Sequence, residues 1–183
     1  MELFLDKIDS PLGEMLLLTD SRGLVRALDF ANHNVRLQRE LRERFGDIEL
    51  REAVNTEVVR VISDKLDRYF SGDLTALDDI TVAADGTDFQ RQVWAALRKI
   101  PAGKTTTYGE IARSLGHTDR RMAKEVGAAI GANPIAVIVP CHRVIGKDGT
   151  LRGYAWGLQR KHRLLTHEKA DVLQSGTAAL FSL

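Results

Sequence analysis

The spacing of apolar and polar positions divides this chain into two kinds of territory. In the first thirty residues the apolar runs of "MELFLDKIDS", "EMLLLTD" and "GLVRALDF" are separated by "PLG" and "DSRG", turn signals that predict three strands. Two helical patterns follow. "VRLQRELRERF" reads as a polar helix, and "TEVVRVISDKLDRYF" places Val58, Val59, Ile62, Leu66, Tyr69 and Phe70 at helical spacing before an "SG" stop. The stretch "DLTALDDITVAADGTD" reads as a link, and beyond it the period stays helical. "FQRQVWAALRKI" sets Phe89, Val93, Trp94, Leu97 and Ile100 on one stripe ended by "PAGK". "YGEIARSL" and "DRRMAKEVGAAIGAN" are two short helices separated by "GHT", and two helices about a tight Gly-containing turn form a helix-turn-helix. The expected fold is α/β of the α+β kind. A small N-terminal sheet-plus-helix domain, about residues 1–83, precedes a mostly helical domain, residues 84–183, that carries the helix-turn-helix.

A wheel drawn at about 100° per residue sharpens the reading of the second of those helices. Met122, Ala123, Val126, Ala129 and Ile130 gather on one side; the other carries Arg120, Arg121, Lys124, Glu125, Gly127, Ala128, Gly131 and Ala132. Glycine costs helix stability, so an ordinary exposed face would carry long polar residues instead. Basic residues mixed with very small ones allow close approach to a phosphate backbone. Packing against another helix is the alternative use of the same small residues.

Composition adds bounds. With 44% hydrophobic and 28% charged residues the balance is that of a globular protein. The N-terminus lacks the basic start and cleavage site of a secretory leader, and no apolar run reaches membrane-spanning length. A lone cysteine forms no internal disulfide, which leads us to expect a reducing, cytoplasmic setting. The net charge of +1 hides an asymmetry: residues 1–83 hold 11 Lys+Arg against 17 Asp+Glu, and residues 84–183 hold 15 against 8. A basic half suggests an anionic partner such as nucleic acid. Chance sorting of solvated charge accounts for the same numbers.

The single cysteine, Cys141, stands in "VIVPCHRVIG". As a core residue it would follow the usual habit of a free cysteine. As a metal ligand it lacks partners, because there is no second cysteine and His33, His117, His162 and His167 form no ligand-spaced pair with it. As a nucleophile it has the required neighbours, since a base or cation lowers a thiol pKa and His142 and Arg143 supply both types. Adjacent strand residues point to opposite faces, so contact between Cys141 and His142 requires a turn or a bridging water. Spacing alone leaves core cysteine and nucleophile level.

"PCHRVIG", preceded by Asn133–Pro134, resembles the active-site motif of the O6-alkylguanine-DNA alkyltransferases. The likeness extends through "GTDFQRQVWAALRKIPAGKTTTYGEIARSLG" and "GTLRGYAWGLQRKHRLLTHE", covering roughly residues 63–168 closely and "IDSPLG" loosely. The resemblance implies direct-reversal DNA repair, in which one alkyl group passes irreversibly from O6 of guanine, or O4 of thymine, to Cys141. It implies that His142 acts through a water as the base and that Glu168 holds and charges the imidazole. Tyr108 would donate a proton to the departing guanine, and Asn133, on the core side of the wheel, would brace the recognition helix against the active-site strand. Backbone groups at Val144 and around Ala155 would bind the guanine edge, and Trp156 beside them would narrow the pocket. Arg143 is expected to be a structural ion-pair partner.

The DNA-binding residues implied are Arg120, Arg121, Lys124, Gly127, Ala128 and Gly131, on a monomer that needs no metal and no cofactor. Relatives carry an arginine in "ARAVG" that enters the DNA stack where a base has flipped out; here the segment reads "AKEVG", so Lys124 takes that place, with Arg121 nearby. Three rivals stand beside this reading. A non-catalytic alkylated-base binder of the same fold would be expected to lack the cysteine. A regulator would offer base-reading side chains on its recognition helix, and a cysteine hydrolase would turn over.

Overall fold

The computed structural model describes residues 2–45, 50–52 and 57–174. The chain divides into two compact units, Met1–Gly86 with Pro134–Ile138, and Thr87–Asn133 with Val139–Leu183.

The first unit is built on the three predicted strands. β1 (Leu3–Ile8), β2 (Met15–Asp20) and β3 (Val25–Phe30) pair antiparallel in sequence, and β4 (Leu50–Glu52) adds parallel to β1, giving the order β3-β2-β1-β4. The three residues of β4 are too few to show an alternation of their own, and the hydropathy pattern missed them. β2 is buried at every position, which explains why "MLLL" is continuously apolar where a one-faced strand would alternate. The β2–β3 turn is tied by the Asp20 carboxylate, which accepts from the N–H groups of Arg22 and Leu24 and from the Arg26 guanidinium. Gly23 is required there: its φ is +77°, and a Cβ would lie 2.8 Å from a methyl of Val58.

Two helices, α1 (Asn34–Phe45) and α2 (Glu57–Phe70), complete this unit. Leu37 of α1 joins Leu3, Leu16, Leu18 and Ala27 in one cluster, and α2 buries Val59, Ile62, Leu66 and Tyr69 of the predicted stripe. The Asp-rich stretch after α2 is not a free link. Ala76, Leu77 and Ile80 are buried, Val82 bridges Val25, and Arg26 donates to the Ala83 carbonyl and pairs with Asp85 at 2.9 Å. Its few apolar residues fill the unit while its acids stay outside. Pro134–Ile138 also belongs here rather than with the second half: Leu28 and Ile135 form a parallel bridge, with Ala136 N–H donating to Leu28 O at 2.7 Å. Val137 then turns the chain at φ +64°, a conformation that costs a β-branched residue about 1–3 kcal/mol.

The second unit holds α3 (Asp88–Leu97), α4 (Tyr108–Ser114), α5 (Met122–Gly131), α6 (Leu158–His167) and the single turn α7 (Asp171–Gln174). Two short strands, β5 (Thr106–Thr107) and β6 (Val144–Ile145), pair in parallel. α3 and α4 each start on a full capping box, Thr87 with Gln90 and Thr107 with Glu110. α4 and α5 are the predicted helix-turn-helix, with Val126, Ala129 and Ile130 buried as the wheel required. α5 is shorter than expected, however. Arg120 lies in the turn before it, and Arg121 occupies the N-cap without a side-chain capping bond. Trp94 Nε1–H donates to the Ala129 carbonyl at 2.8 Å, fastening α3 to α5. Among the described residues no helix is long and apolar enough to cross a membrane.

Candidate active site

The stretch around the cysteine is not an extended strand. Cys141 N–H donates to Val139 O at 2.8 Å, and Cys141–Arg143 form one turn of 3₁₀ helix. That turn is the local solution required for neighbouring Cys141 and His142 to serve one site. Both are buried, His142 completely. Asn133, just past the end of α5, donates from Nδ2 to Val139 O at 3.1 Å and to Cys141 Sγ at 3.4 Å. It therefore braces α5 against the active-site segment and hands one hydrogen bond to the sulfur, a contact that stabilises thiolate over thiol.

Glu168 caps α6 and is buried, yet its carboxylate is saturated with donors. Arg143 reaches it from Nη2 at 2.7 Å and from Nε at 3.0 Å, His142 Nε2 lies 2.9 Å away, and Gly103 N–H donates at 3.3 Å. Burial by itself would raise this carboxyl; the hydrogen bonds and charges beside it, from His142 first and Arg143 next, outweigh burial and hold it well below the usual carboxylate range. An ionised carboxylate only accepts, so His142 Nε2 carries the proton and Nδ1 the lone pair. Burial lowers the His142 pKa, against the raising effect of Glu168 and with small lowering contributions from Arg143 and Lys161. Glu168 holds the ring and favours its charged form as expected, but burial outweighs it, and the resting ring is a neutral imidazole. Nδ1 is buried and makes no hydrogen bond to the protein, which leaves it as the basic atom of the ring.

Cys141 opens on a cavity of about 630 Å³ lined by Tyr108, Ala123, Lys124, Gly127, Ile130, Gly131, Arg152, Gly153, Tyr154 and Ala155. The small residues of α5 therefore form a wall of the pocket rather than a helix-packing seam. The Tyr108 ring lies over Gly127, and its hydroxyl donates to Arg152 O at 3.2 Å. Burial raises the Tyr108 pKa, with a further push from the Cys141 charge. A second cleft, about 550 Å³ between α3 and α4, contains neither thiol nor imidazole.

The structure brings Cys141, His142, Glu168, Tyr108 and Asn133 together, and places Lys124, Gly127, Gly131 and Ala155 on the cavity. Arg120, Arg121 and Ala128 are exposed on or before α5 but do not line it, and Arg121 pairs with Asp119 at 3.1 Å. Two expectations need correction. Trp156 is 1% exposed and does not line the pocket; its ring packs edge-on behind Tyr154 with centroids 5.1 Å apart. Its large apolar surface is buried in the core, and Tyr154 is what faces the cavity. Val144 is also buried behind the site, paired with Thr106, and its carbonyl accepts from Lys161 at 2.5 Å. Arg152, Gly153, Tyr154 and Lys161 were missed. Lys161 was legible in principle, because in α6 it falls on the stripe of Leu158, Leu164 and Leu165, where a charge is out of place.

Fold and site together define a class: an α/β protein in which a helix-turn-helix walls a pocket that holds a thiol, with the next residue an imidazole hydrogen-bonded to a buried carboxylate. Residues 3–84 match the family described as 6-O-methylguanine DNA methyltransferase, ribonuclease-like domain, and residues 88–170 match its DNA binding domain. The chain is 44% identical over 168 residues to a methylated-DNA–protein-cysteine methyltransferase of Salmonella typhimurium, covering 92% of this chain and 96% of that one. It is 43% identical over 170 residues to the protein so named in Methanosarcina barkeri, covering 93% and 99%. A crystal structure of Mycobacterium tuberculosis OGT in complex with DNA superposes with a TM-score of 0.73 at 36% identity, covering 94% and 98%. The chain belongs to the 6-O-methylguanine DNA methyltransferase family.

Proposed function

We propose that this protein repairs O6-alkylguanine in double-stranded DNA by direct reversal, moving the alkyl group to its own Cys141. The observation that carries the reading is the ordered set Cys141, His142, Glu168 at a pocket walled by the recognition helix. In this mechanism α5 enters the groove, with Arg120, Arg121 and Ala128 against the backbone, and the damaged base leaves the stack for the pocket. Lys124, at the pocket rim, holds the place the base has left. His142 Nδ1 takes the thiol proton through a water. Cys141 Sγ attacks the alkyl carbon, the C–S bond forms as the C–O6 bond breaks, and the electron pair leaves with the purine. Tyr108 supplies the proton that restores neutral guanine and is reprotonated from solvent. The product thioether is a poor leaving group, so each molecule acts once.

An intact thiol relay is superfluous in a non-catalytic lesion binder, which counts against that alternative. Every group invoked comes from one chain, which supports action as a monomer, and the lone free cysteine supports a cytoplasmic setting. The test is a stoichiometric titration of protein against a duplex bearing O6-methylguanine. Restored guanine should plateau at one per protein; continued turnover, or none, would overturn the proposal.

A further inference from the structure

Lys161 is fully buried, and its ammonium makes three contacts, all to backbone carbonyls: Val144 O at 2.5 Å, Arg152 O at 2.5 Å and Gly153 O at 3.4 Å. No carboxylate is among its partners within the described residues. The three carbonyls belong to the first residue of β6, directly after the Cys141–Arg143 turn, and to two residues lining the thiol's pocket. Arg152 O also accepts from the Tyr108 hydroxyl, so one oxygen joins the lysine to the expected proton donor.

Charge bookkeeping around this lysine is unusual. Cys141 and His142 interact electrostatically with it, Arg152 O and through it the Tyr108 hydroxyl are joined to it by hydrogen bonds, and His142 leads on to the Glu168–Arg143 pair. Arg143 and Glu168 neutralise each other, His142 and Tyr108 are neutral at rest, and Arg152 pairs outward with Asp148. Lys161 therefore remains a buried positive charge with no negative partner until Cys141 ionises. A buried cation left alone is costly, and that cost falls when an anion forms beside it.

We propose, resting on Cys141 as the alkyl acceptor, that Lys161 is a positioning residue which clamps the pocket carbonyls and supplies the positive charge against which the thiol ionises. Lys161 keeps its proton throughout; the thiol proton is the one that leaves. Burial pushes the Lys161 pKa down to about 8, and the Cys141 charge opposes that fall. The same cation disfavours imidazolium at His142, keeping it a base. Once Cys141 is a neutral thioether, the support for the ammonium disappears.

The test uses a small neutral reagent, iodoacetamide, so that it does not depend on DNA repair. Its rate of reaction with Cys141 is followed against pH in the parent, Lys161→Met, Lys161→Gln and Lys161→Arg, with circular dichroism to establish folding. In Lys161→Met and Lys161→Gln the midpoint of the profile should rise by about one pH unit, a roughly tenfold slower reaction at neutral pH, and Lys161→Arg should restore the midpoint. An unmoved midpoint in a folded neutral variant would overturn the charge role and leave only a packing role. If neither neutral variant folds, ¹³Cε NMR of the parent decides: the Lys161 titration should fall to lower pH once Cys141 is carbamidomethylated, and an unchanged titration refutes the inference. Failure of the parent to repair O6-methylguanine would strike the functional reading instead, without touching this profile.

Discussion

Glu168→Gln tests the relay at its most connected atom pair. The substitution keeps shape but removes the charge that Arg143 meets with three N–H···O contacts at 2.7 to 3.2 Å. An uncompensated guanidinium would then stay buried, and breaking such a pair by removing one partner costs about 3–5 kcal/mol. For a chain of this size that corresponds to a melting temperature lower by about 6–20 °C. The chemical effect is separate. The new amide can donate to His142 Nε2, which favours the tautomer with its proton on Nδ1 and removes the lone pair that the proposed mechanism uses as the base. Loss of a positioned base slows proton transfer by about 10²–10⁴-fold, and alkyl transfer should slow within that range in single-turnover assays on O6-methylguanine duplex. The acid limb supplies a sign. A carboxyl held below its ordinary value of 4.5 contributes stability that is fully present above that pH and is lost as pH falls through it toward the folded value. The parent should therefore lose stability below about pH 4.5, and Glu168→Gln should lose less of it there. A variant that melts with the parent and transfers at the parent's rate would refute the relay as drawn.

Three further outcomes are expected. Cys141→Ala should abolish transfer while retaining salt-sensitive binding to duplex DNA, measured by fluorescence anisotropy, because the proposed phosphate contacts, Arg120, Arg121 and Ala128, lie on or just before α5 and away from the thiol. Lys124→Ala should slow repair in duplex DNA and leave reaction with free alkylguanine base unchanged, whereas Lys124→Arg should speed duplex repair; rates on the two substrates check this, and crippling by Arg121→Ala alone would move the intruding role to Arg121. Trp156→Ala should destabilise the protein by about 3–5 kcal/mol in chemical denaturation, as expected for a buried indole behind Tyr154 rather than a pocket wall.

The parts of this structure that were legible in the sequence are those set by local periodicity. The hairpin strands, the stripe of α2 and the buried side of α5 follow from side-chain spacing alone. Asn133 was placed on the core side by the same wheel, and its hydrogen bonds to Val139 O and Cys141 Sγ bear out the need for partners there. Long-range features were not legible. Nothing local in "PAGK" says that the Gly103 N–H will meet Glu168, and nothing in "GYAW" says which aromatic faces the pocket. The apolar stripe of α6 marks Lys161 as out of place, but its partners, three carbonyls on other elements, leave no trace in residue type.

In the proposed reaction Cys141 Sγ is the destination of the alkyl group. Protein mixed with a duplex carrying one O6-methylguanine, then analysed by intact mass and peptide mapping, should show one added methyl, located on the peptide of Cys141, with unmodified guanine in the DNA. A methyl on any other residue, or a protein of unchanged mass beside repaired DNA, would contradict it.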